Sequence, residues 1–245
     1  MKKTKIPWAE MGWDLTTGCK HNCKDLSGKS YCYIHRYMPD PLNPRWFPDR
    51  LEEPKKMKTP SIIFTSPSGD IMGDWIPIDF LYDMFRMMNN CPQHIFLILT
   101  KNPKRYLEFS ERLFTPNIWI GASITRSTDA HRVISLRNAQ TNKTFISFEP
   151  MLEYLTHNNY SGIKWAIIGA RTDHNSYTAV NLQDSQNYAR HLIGNLREFK
   201  IPIFIKPNLE WKPKTTQFPM EIENWKVLRT RDNILNQPDL FGDEK

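Results

Sequence analysis

Three of the four cysteines in the 245-residue chain lie close together near the amino terminus, in the segment GCKHNCKDLSGKSYCY at residues 18–33. Their spacing is Cys19-x3-Cys23-x8-Cys32, and the fourth cysteine, Cys91, is far away in the sequence. A four-iron iron–sulfur cluster normally takes four thiolates, so a set of three leaves one iron with an open position. Because an open metal position can bind a substrate or cofactor, the trio predicts a cluster that binds something besides protein.

A structural zinc site is one alternative. Zinc prefers four ligands in such sites, and the fourth would have to be His21, His35 or Cys91. A second alternative is that the cysteines carry no metal and pack in the core. Their neighbours argue against such packing because they are polar: Lys20, His21, Asn22, Lys24 and Asp25.

The composition and the amino-terminal segment indicate the cellular compartment of the protein. No apolar run approaches membrane-spanning length, and the start MKKTKIPWAE lacks the apolar core of a signal peptide. We therefore expect a cytoplasmic protein with no membrane partner. In a reducing compartment, clustered thiols are more often metal ligands or redox groups than disulfides. The net charge of +7 weakly favours a polyanionic partner such as nucleic acid.

The elements that position the cysteines are predicted from apolar runs rich in Ile, Phe and Val. These runs are continuous, as strands buried on both faces should be, and segments with helical spacing lie between them. A repeated β-α-β order predicts an α/β fold, a complete or partial (β/α) barrel of about seven parallel strands; an open doubly wound sheet is the alternative. No GxGxxG or GxxxxGKS/T motif predicts a nucleotide-phosphate loop. The predicted strands are near 8–16 and at 61–66, 94–100, 117–124, 144–150, 164–170 and 202–207; the predicted helices are at 78–91, 103–114 and 181–199, the last capped by Asn181 or Asp184.

Polar residues follow the predicted strands at their carboxyl ends, which is where barrel enzymes place their working residues. The cysteine segment follows the first predicted strand, so it falls on the same rim. Polar strand ends also occur for solvation alone, but six in register favour a site. They are Ser66, Ser68, Gly69 and Asp70; Thr100, Lys101 and Asn102; Ser123 and Thr125; Glu149; Arg171; and Lys206.

The cysteine segment resembles a known motif. GCKHNC, followed by the aromatic Tyr31 directly before Cys32, is similar to the CxxxCx-aromatic-C loop of radical S-adenosylmethionine (SAM) enzymes. Six additional residues, KDLSGK at 24–29, separate the second and third cysteines. We expect this insertion to bulge outward and leave the three thiolates able to converge.

A narrower resemblance covers most of the chain. The blocks WDLTTGC, SGDIMGDWIP, LILTKNPKR, NIWIGASI, ISFEPML, KWAIIGAR and PIFIKP follow the order seen in phage Gp37/Gp68-type proteins, the family with domain of unknown function 5131. That family is regarded as radical-SAM-like and distantly like spore photoproduct lyase, and its substrate is not established. The resemblance implies that Cys19, Cys23 and Cys32 bind a [4Fe–4S] cluster. It also implies that SAM chelates the unique iron and is cleaved to a 5′-deoxyadenosyl radical, with an electron donor of the flavodoxin or ferredoxin type.

The resemblance also implies roles for other rim residues. The loop after the second strand would hold the amino group of SAM, and Ser123 would contact its ribose. Lys101 and Glu149 would contact the carboxylate, the sulfonium or the substrate, and so are the candidate catalytic residues. Glu149 could equally pair with Lys101 or Arg171. The full set of candidate cofactor-binding residues is Tyr31, Ser66, Ser68, Gly69, Asp70, Ser123 and Glu149.

Two domains are predicted: a radical-SAM-like (β/α) barrel at 1–207, and a carboxyl-terminal extension and tail at 208–245. In the tail, Gln237, Leu240 and Phe241 resemble the QxxLF peptide by which bacterial proteins bind the replication sliding clamp; the alternative is a tail that packs back on the barrel. Segment 211–231 combines aromatic and basic residues, a composition that suits single-stranded or flipped bases and also ordinary loops.

Three hypotheses follow for function. The first is a radical SAM enzyme that acts on nucleic acid or a nucleotide-derived substrate, in DNA repair or modification. The second is a zinc-stabilised nucleic-acid-binding protein without radical chemistry. The third is a barrel enzyme that has kept the fold and lost the cluster.

Overall fold

The computed structural model describes residues 1–155, 159–172 and 179–229. Strands and α-helices alternate through most of the chain, as predicted. The strands are β1 (Lys2–Lys3), β2 (Met11–Trp13), β3 (Thr16–Thr17), β4 (Arg45–Trp46), β5 (Ile62–Thr65), β6 (Ile95–Thr100), β7 (Ile118–Ser123), β8 (Thr144–Phe148), β9 (Trp165–Ile168) and β10 (Ile203–Ile205). The α-helices are α1 (Glu53–Lys56), α2 (Ile78–Asn89), α3 (His131–Asn138), α4 (Leu182–Glu198) and α5 (Met220–Arg229).

One eight-stranded sheet carries the fold, in the order β1-β2-β5-β6-β7-β8-β9-β10. All seven predicted strands are present, and each pairs in parallel with its neighbour. The short strand β1 adds an antiparallel pairing on β2. Within the described residues β2 and β10 do not pair with each other, so the sheet is a partial barrel.

The two faces of the sheet bury different partners, because successive residues of a strand point to opposite sides. One face packs against α2, α3 and α4 through residues such as Ile98, Ile120 and Ile168. The other, here called the aromatic face, carries Phe64, Trp119, Phe145, Trp165 and Phe204 and is covered by Trp8 and by Ile222 and Trp225 of α5. Since all three long crossover helices lie on one face, the doubly wound alternative does not apply.

Two of the predicted helices form as expected. In α2 the buried positions include Phe80, Met84 and Met88, on one helical face. The long helix α4 begins at Leu182, but Asn181 before it has φ +52° and makes no side-chain capping hydrogen bond. Asn181 therefore does not cap the helix through its side chain.

The predicted helix at 103–114 is instead two short 3₁₀ helices, Pro103–Glu108 and Glu111–Leu113, with Phe109 extended between them. Tertiary contacts override the helical spacing. The Tyr106 hydroxyl lies 3.1 Å from the Ile98 carbonyl oxygen, and the Arg105 guanidinium donates to the Ile76 carbonyl.

Residues after β10 stay in contact with the sheet. The Ile205 N–H donates to the Thr215 carbonyl at 2.8 Å, and the Gln217 N–H donates to the Ile203 carbonyl at 3.0 Å. The chain then enters α5. None of the described helices combines the length and apolar character needed to cross a membrane.

Candidate metal centre on the carboxyl-terminal rim

The cysteine segment begins as a continuation of the parallel pairing between β2 and β5. Gly18 and Gly69 form a parallel bridge, and the Gly18 N–H donates to the Ser68 carbonyl at 2.9 Å. A Cβ on Gly69 would lie 2.6 Å from the Thr16 Oγ1, and Gly18 has φ +77°. Both positions therefore need glycine. The close approach places the cysteine segment against the loop after β5, as the sequence predicts.

The insertion at 24–29 explains how Cys23 and Cys32 meet across eight residues. Lys24 and Ser30 form an antiparallel bridge, and the Tyr31 N–H donates to the Cys23 carbonyl at 3.2 Å. Residues 24–29 thus form a hairpin, here called hairpin 24–29, that closes on itself. Its base brings the second and third cysteines side by side.

The three thiols interact. The Cys32 thiol donates a hydrogen bond to Cys23. This bond and the nearby Lys101 ammonium lower the pKa of the Cys23 thiol despite burial. The same bond, followed by burial, raises the pKa of Cys32 well above its usual range. Burial and then the Asp70 carboxylate raise the pKa of Cys19 to about 12.

The three cysteines are suitable ligands for an iron–sulfur cluster because they are free thiols that lie in one segment on the rim. All four cysteines are free, and three share one half-buried segment. Among the described residues, no three histidine, cysteine, aspartate or glutamate side chains stand in the arrangement of a metal site, so binding would require the cysteine side chains to rotate. Buried hydroxyls without a hydrogen-bond partner lie beside the segment, on Thr16 and Ser66, and such atoms suit a polar ligand.

Cys91 is not a fourth ligand. It lies between the end of α2 and the start of β6, at the amino-terminal edge of the sheet. It is fully buried, and its sulfur lies 4.0 Å from the Met87 sulfur. The trio on the opposite rim has no fourth cysteine within the described residues.

Asp70 organises the rim. One carboxylate oxygen, Oδ2, accepts hydrogen bonds from the Thr100 hydroxyl and the Lys101 N–H, each at 2.9 Å, and lies 2.8 Å from the His21 Nε2. The other, Oδ1, accepts from the Met72 N–H at 3.0 Å. Burial alone would raise the pKa of Asp70, but these partners hold it below its usual value. Asp70 therefore ties the cysteine segment to β6.

Lys101 lies close to several side chains that are acidic or can ionise to anions. Burial alone would lower the pKa of its ammonium, but Cys23, Tyr31, Asp70 and Cys19 raise it above the ordinary value. Lys101 is thus a fixed positive charge beside the thiols, where it stabilises their ionised forms.

The other predicted cofactor contacts lie around this centre. Ser66 has φ +56°, a buried hydroxyl and no partner for it. The Ser68 N–H donates to Asp14 at 3.0 Å, and Ser123 is buried at the end of β7. The Tyr31 hydroxyl is hydrogen-bonded to Thr125 and Cys23.

Glu149 forms an ion pair with a residue other than the two partners suggested by the sequence. Its carboxylate forms an ion pair with Lys206 after β10, in place of Lys101 or Arg171. Arg171 pairs with Asp25 of hairpin 24–29 at 2.7 Å. In the strands, period-two alternation places Glu149 and Lys206 on the side of the aromatic face, and that signal could have predicted their pairing.

The predictions for the carboxyl-terminal residues differ in how far the structure bears on them. The tail residues Gln237, Leu240 and Phe241 lie outside the described residues. In segment 211–231, Trp225 is buried and Phe218 lies 5.1 Å from the Trp165 ring. Two of its aromatic side chains therefore pack against the aromatic face, which favours the structural interpretation of this segment.

Comparisons with solved structures relate the partial barrel to one enzyme. A tyrosine-to-phenylalanine variant of spore photoproduct lyase has a TM-score of 0.59 at 12% identity, covering 83% of this chain and 78% of that chain. A cysteine-to-serine variant has 0.55 at 13%, with coverages of 83% and 78%. A cysteine-to-alanine variant with dinucleoside spore photoproduct has 0.51 at 14%, covering 80% and 63%. At these identities the likeness is one of fold.

No curated protein matches the sequence. The family described as "Protein of unknown function (DUF5131)" matches residues 3–233, which is nearly the whole chain. The chain therefore belongs to the DUF5131 family, with a partial barrel that is similar in fold to spore photoproduct lyase.

Proposed function

We propose that this protein is a radical SAM enzyme that uses a [4Fe–4S] cluster and acts on nucleic acid or a nucleotide-derived substrate. The observation that supports it most is the position of Cys19, Cys23 and Cys32, free thiols on the carboxyl-terminal rim of a barrel similar in fold to spore photoproduct lyase. These residues would hold the cluster and leave one iron for SAM. When bound, the two cofactors supply one-electron reduction and hydrogen-atom abstraction.

The chain's own residues would bind and orient these groups. Lys101 neutralises part of the negative charge of the thiolates, and Asp70 fixes the Lys101 backbone and the His21 ring. The unpaired Ser66 hydroxyl is available to the amino group of SAM. Ser68, Gly69, Ser123 and Tyr31 keep their proposed cofactor contacts.

Glu149 and Lys101 remain the proposed catalytic residues, and Lys206 joins them. The Glu149–Lys206 pair presents a negative and a positive group at the rim, next to the aromatic face. Such a pair can orient a ligand that carries both charges, as the methionine part of SAM does.

Two observations support the proposed substrate class. One solved structure of similar fold contains dinucleoside spore photoproduct, and the net charge of +7 suits a polyanion. DNA repair or modification is the reaction class that we propose on this basis.

Anaerobic purification tests the proposal. We expect brown protein that absorbs near 400 nm with about four irons per chain, as four-iron clusters do. With dithionite and SAM it should release 5′-deoxyadenosine, and Cys32→Ala should abolish this while Cys91→Ala keeps it. Colourless protein with one zinc per chain would overturn the proposal and favour the zinc-stabilised nucleic-acid-binding alternative. Colourless protein without metal would favour a barrel enzyme that has lost the cluster.

Two protein partners are proposed from the sequence. An electron donor of the flavodoxin or ferredoxin type would reduce the cluster. A sliding clamp would bind the tail through Gln237, Leu240 and Phe241. The 245-residue chain should bind a clamp in a pull-down, and Leu240→Ala with Phe241→Ala should abolish binding. Equal binding by this variant would show that these tail residues do not mediate the interaction.

A further inference from the structure

Hairpin 24–29 is attached to two strands on the far side of the cysteine segment. The Arg171 Nη1 lies 2.7 Å from the Asp25 Oδ2, and the Arg126 Nη2 donates to the Lys24 carbonyl at 2.6 Å. Arg126 follows β7 and Arg171 follows β9. The cysteine segment itself follows β2 and β3, so the hairpin joins the carboxyl ends of strands that are distant in the sheet order.

Asp25 both folds the hairpin and attaches it. Its Oδ1 accepts from the Ser27 N–H at 2.9 Å, the Ser27 hydroxyl at 2.6 Å and the Lys29 N–H at 2.9 Å. Its Oδ2 is left for Arg171. The side-chain exposures of the pair are 9% for Asp25 and 21% for Arg171.

The base of the hairpin carries the thiols. Cys23 and Tyr31 share a backbone hydrogen bond directly below the Lys24–Ser30 bridge, and Cys32 follows at once. The Lys24–Ser30 bridge and the Tyr31–Cys23 hydrogen bond hold the two strands of the hairpin together at its base. If the hairpin were not attached to the rim, its motion would break these bonds and separate Cys23 from Cys32. Cys19 precedes the hairpin and is held separately, through its N–H to the Pro41 carbonyl at 2.8 Å.

We propose that Arg171 and Arg126 are positioning residues that clamp hairpin 24–29 across the rim and thereby keep Cys23 and Cys32 together for metal binding. The metal-binding part rests on the proposed function, whereas the placement of the thiols does not. The clamp also explains the six inserted residues: they reach from the first strand to partners that a shorter loop could not contact.

Alkylation of the metal-free, reduced 245-residue chain by iodoacetamide, followed site by site with peptide mass spectrometry, tests the placement of the thiols. In Arg171→Ala, the rates at Cys23 and Cys32 should rise about tenfold, because the hairpin opens locally and exposes both thiols more often. Cys19 should change less, and buried Cys91 should stay unreactive. Arg171→Lys should restore much of the protection, and Arg126→Ala should produce a smaller rise. Lys29→Ala, which removes a charge from the same hairpin and keeps its backbone bond, should match wild type.

The variant Asp25→Asn distinguishes an opening of the hairpin from a direct effect of charge on the ionisation of the thiols. Loss of the Arg171 charge and loss of the Asp25 charge act on thiol ionisation in opposite directions, whereas both open the clamp. Faster alkylation in both variants supports the proposal; opposite changes, or unchanged rates in both, overturn it. If Cys91 also reacts in Arg171→Ala, that variant has unfolded globally. The alkylation rates of the two single variants Asp25→Asn and Arg126→Ala then decide whether the clamp holds the thiols.

Iron content after anaerobic reconstitution tests the second half. Wild type should bind about four irons per chain, and Arg171→Ala should bind less than half as much. Equal iron in both would overturn a positioning role in metal binding. Absence of iron in wild type would overturn the proposed function, while the alkylation rates would still decide the placement of the thiols.

Discussion

Glu149 and Lys206 form an ion pair directly over Gly169, between the ends of β8 and β10. A Cβ on Gly169 would lie 3.1 Å from the Cδ of each partner. The absence of a side chain at the end of β9 is therefore what lets a carboxylate and an ammonium from the two flanking strands meet on the rim.

Gly169→Ala should separate this pair. The added methyl group crowds both side chains, and the cost should be about 1 kcal/mol, the low end for overpacking, because these flexible side chains can shift. We expect a lower free energy of unfolding in urea and weaker SAM binding by the reconstituted protein. Gly194→Ala is the matched control: nothing lies within 4 Å of its Cβ in α4, so it should stabilise the chain by about 1 kcal/mol. Unchanged SAM binding in Gly169→Ala would contradict a role for the pair.

Gly69→Ala should loosen the start of the cysteine segment. Its Cβ would lie 2.6 Å from the Thr16 Oγ1 and 2.9 Å from the Gly18 carbonyl oxygen, so the parallel bridge to Gly18 cannot persist. We expect a loss of about 1–3 kcal/mol and reduced iron after reconstitution. Gly28→Asn is the control in the same segment, because Gly28 has φ +84° with open space around it and Asn tolerates that region. Full iron content in Gly69→Ala would argue against the bridge as the anchor.

Asp70→Asn should destabilise the rim in either amide orientation. Both carboxylate oxygens accept hydrogen bonds, so the amide NH₂ always faces a donor. We expect a loss of about 2–3 kcal/mol in unfolding free energy, the range for a bond to a buried charged group. Asp74→Asn is the matched control, since Asp74 is exposed and its hydrogen-bond partner among the described residues, the Asn102 amide at 2.7 Å, can bond to the Asn oxygen. Equal stability of the two variants would contradict the organising role of Asp70.

Acid should weaken the attachment of α5. Arg229 binds both carboxylate oxygens of Glu10, at 2.5 and 2.6 Å, and the Ile62 N–H donates to the same group at 2.8 Å. Burial would raise the pKa of Glu10, but these partners hold it below the usual 4.5. A lowered carboxyl pKa gives stability that is complete above pH 4.5 and is lost as pH falls through the folded-state value.

Urea unfolding measured against pH checks this. Glu10→Gln should cost about 1 kcal/mol or less near neutral pH, because the pair is partly exposed, and the difference from wild type should vanish in acid. Glu223→Gln, which removes an exposed partner of Lys226, should show neither effect. If the difference in unfolding free energy between wild type and Glu10→Gln persists in acid, the effect comes from packing and not from the charge of Glu10.

Local sequence patterns predict the sheet well and the rim only in part. Six continuous apolar runs predict six of the seven parallel strands because burial on both faces demands such runs, and the first strand was predicted separately near residues 8–16. The helix predicted at 103–114 fails because Arg105 and Tyr106 are held by distant carbonyl groups, which no local pattern encodes. The helices α1, α3 and α5 were not predicted, because α1 and α3 are short and the apolar residues of α5 do not recur at a clear helical spacing. Loop positions after strands predict that Asp70 and Lys101 lie near the cysteines, and the family match confirms DUF5131 membership. The assigned cofactor contacts remain predictions.

Contacts that join residues far apart in sequence are the part that could not be predicted. The ion pair of Asp25 with Arg171 depends on the fold to bring them together. The role of KDLSGK becomes visible only when both ends of the hairpin and its two arginine partners are seen at once.

Both outer strands of the open sheet are occupied by short segments near the ends of the described chain. Lys2–Lys3 pair with β2, and residues 215–217 pair with β10. An unpaired strand edge is a template on which a second chain can add, and this barrel, being open, has two such edges. These two short segments cover the edges that β2 and β10 would otherwise expose, so removing either one would leave an unpaired strand to which a second chain could add.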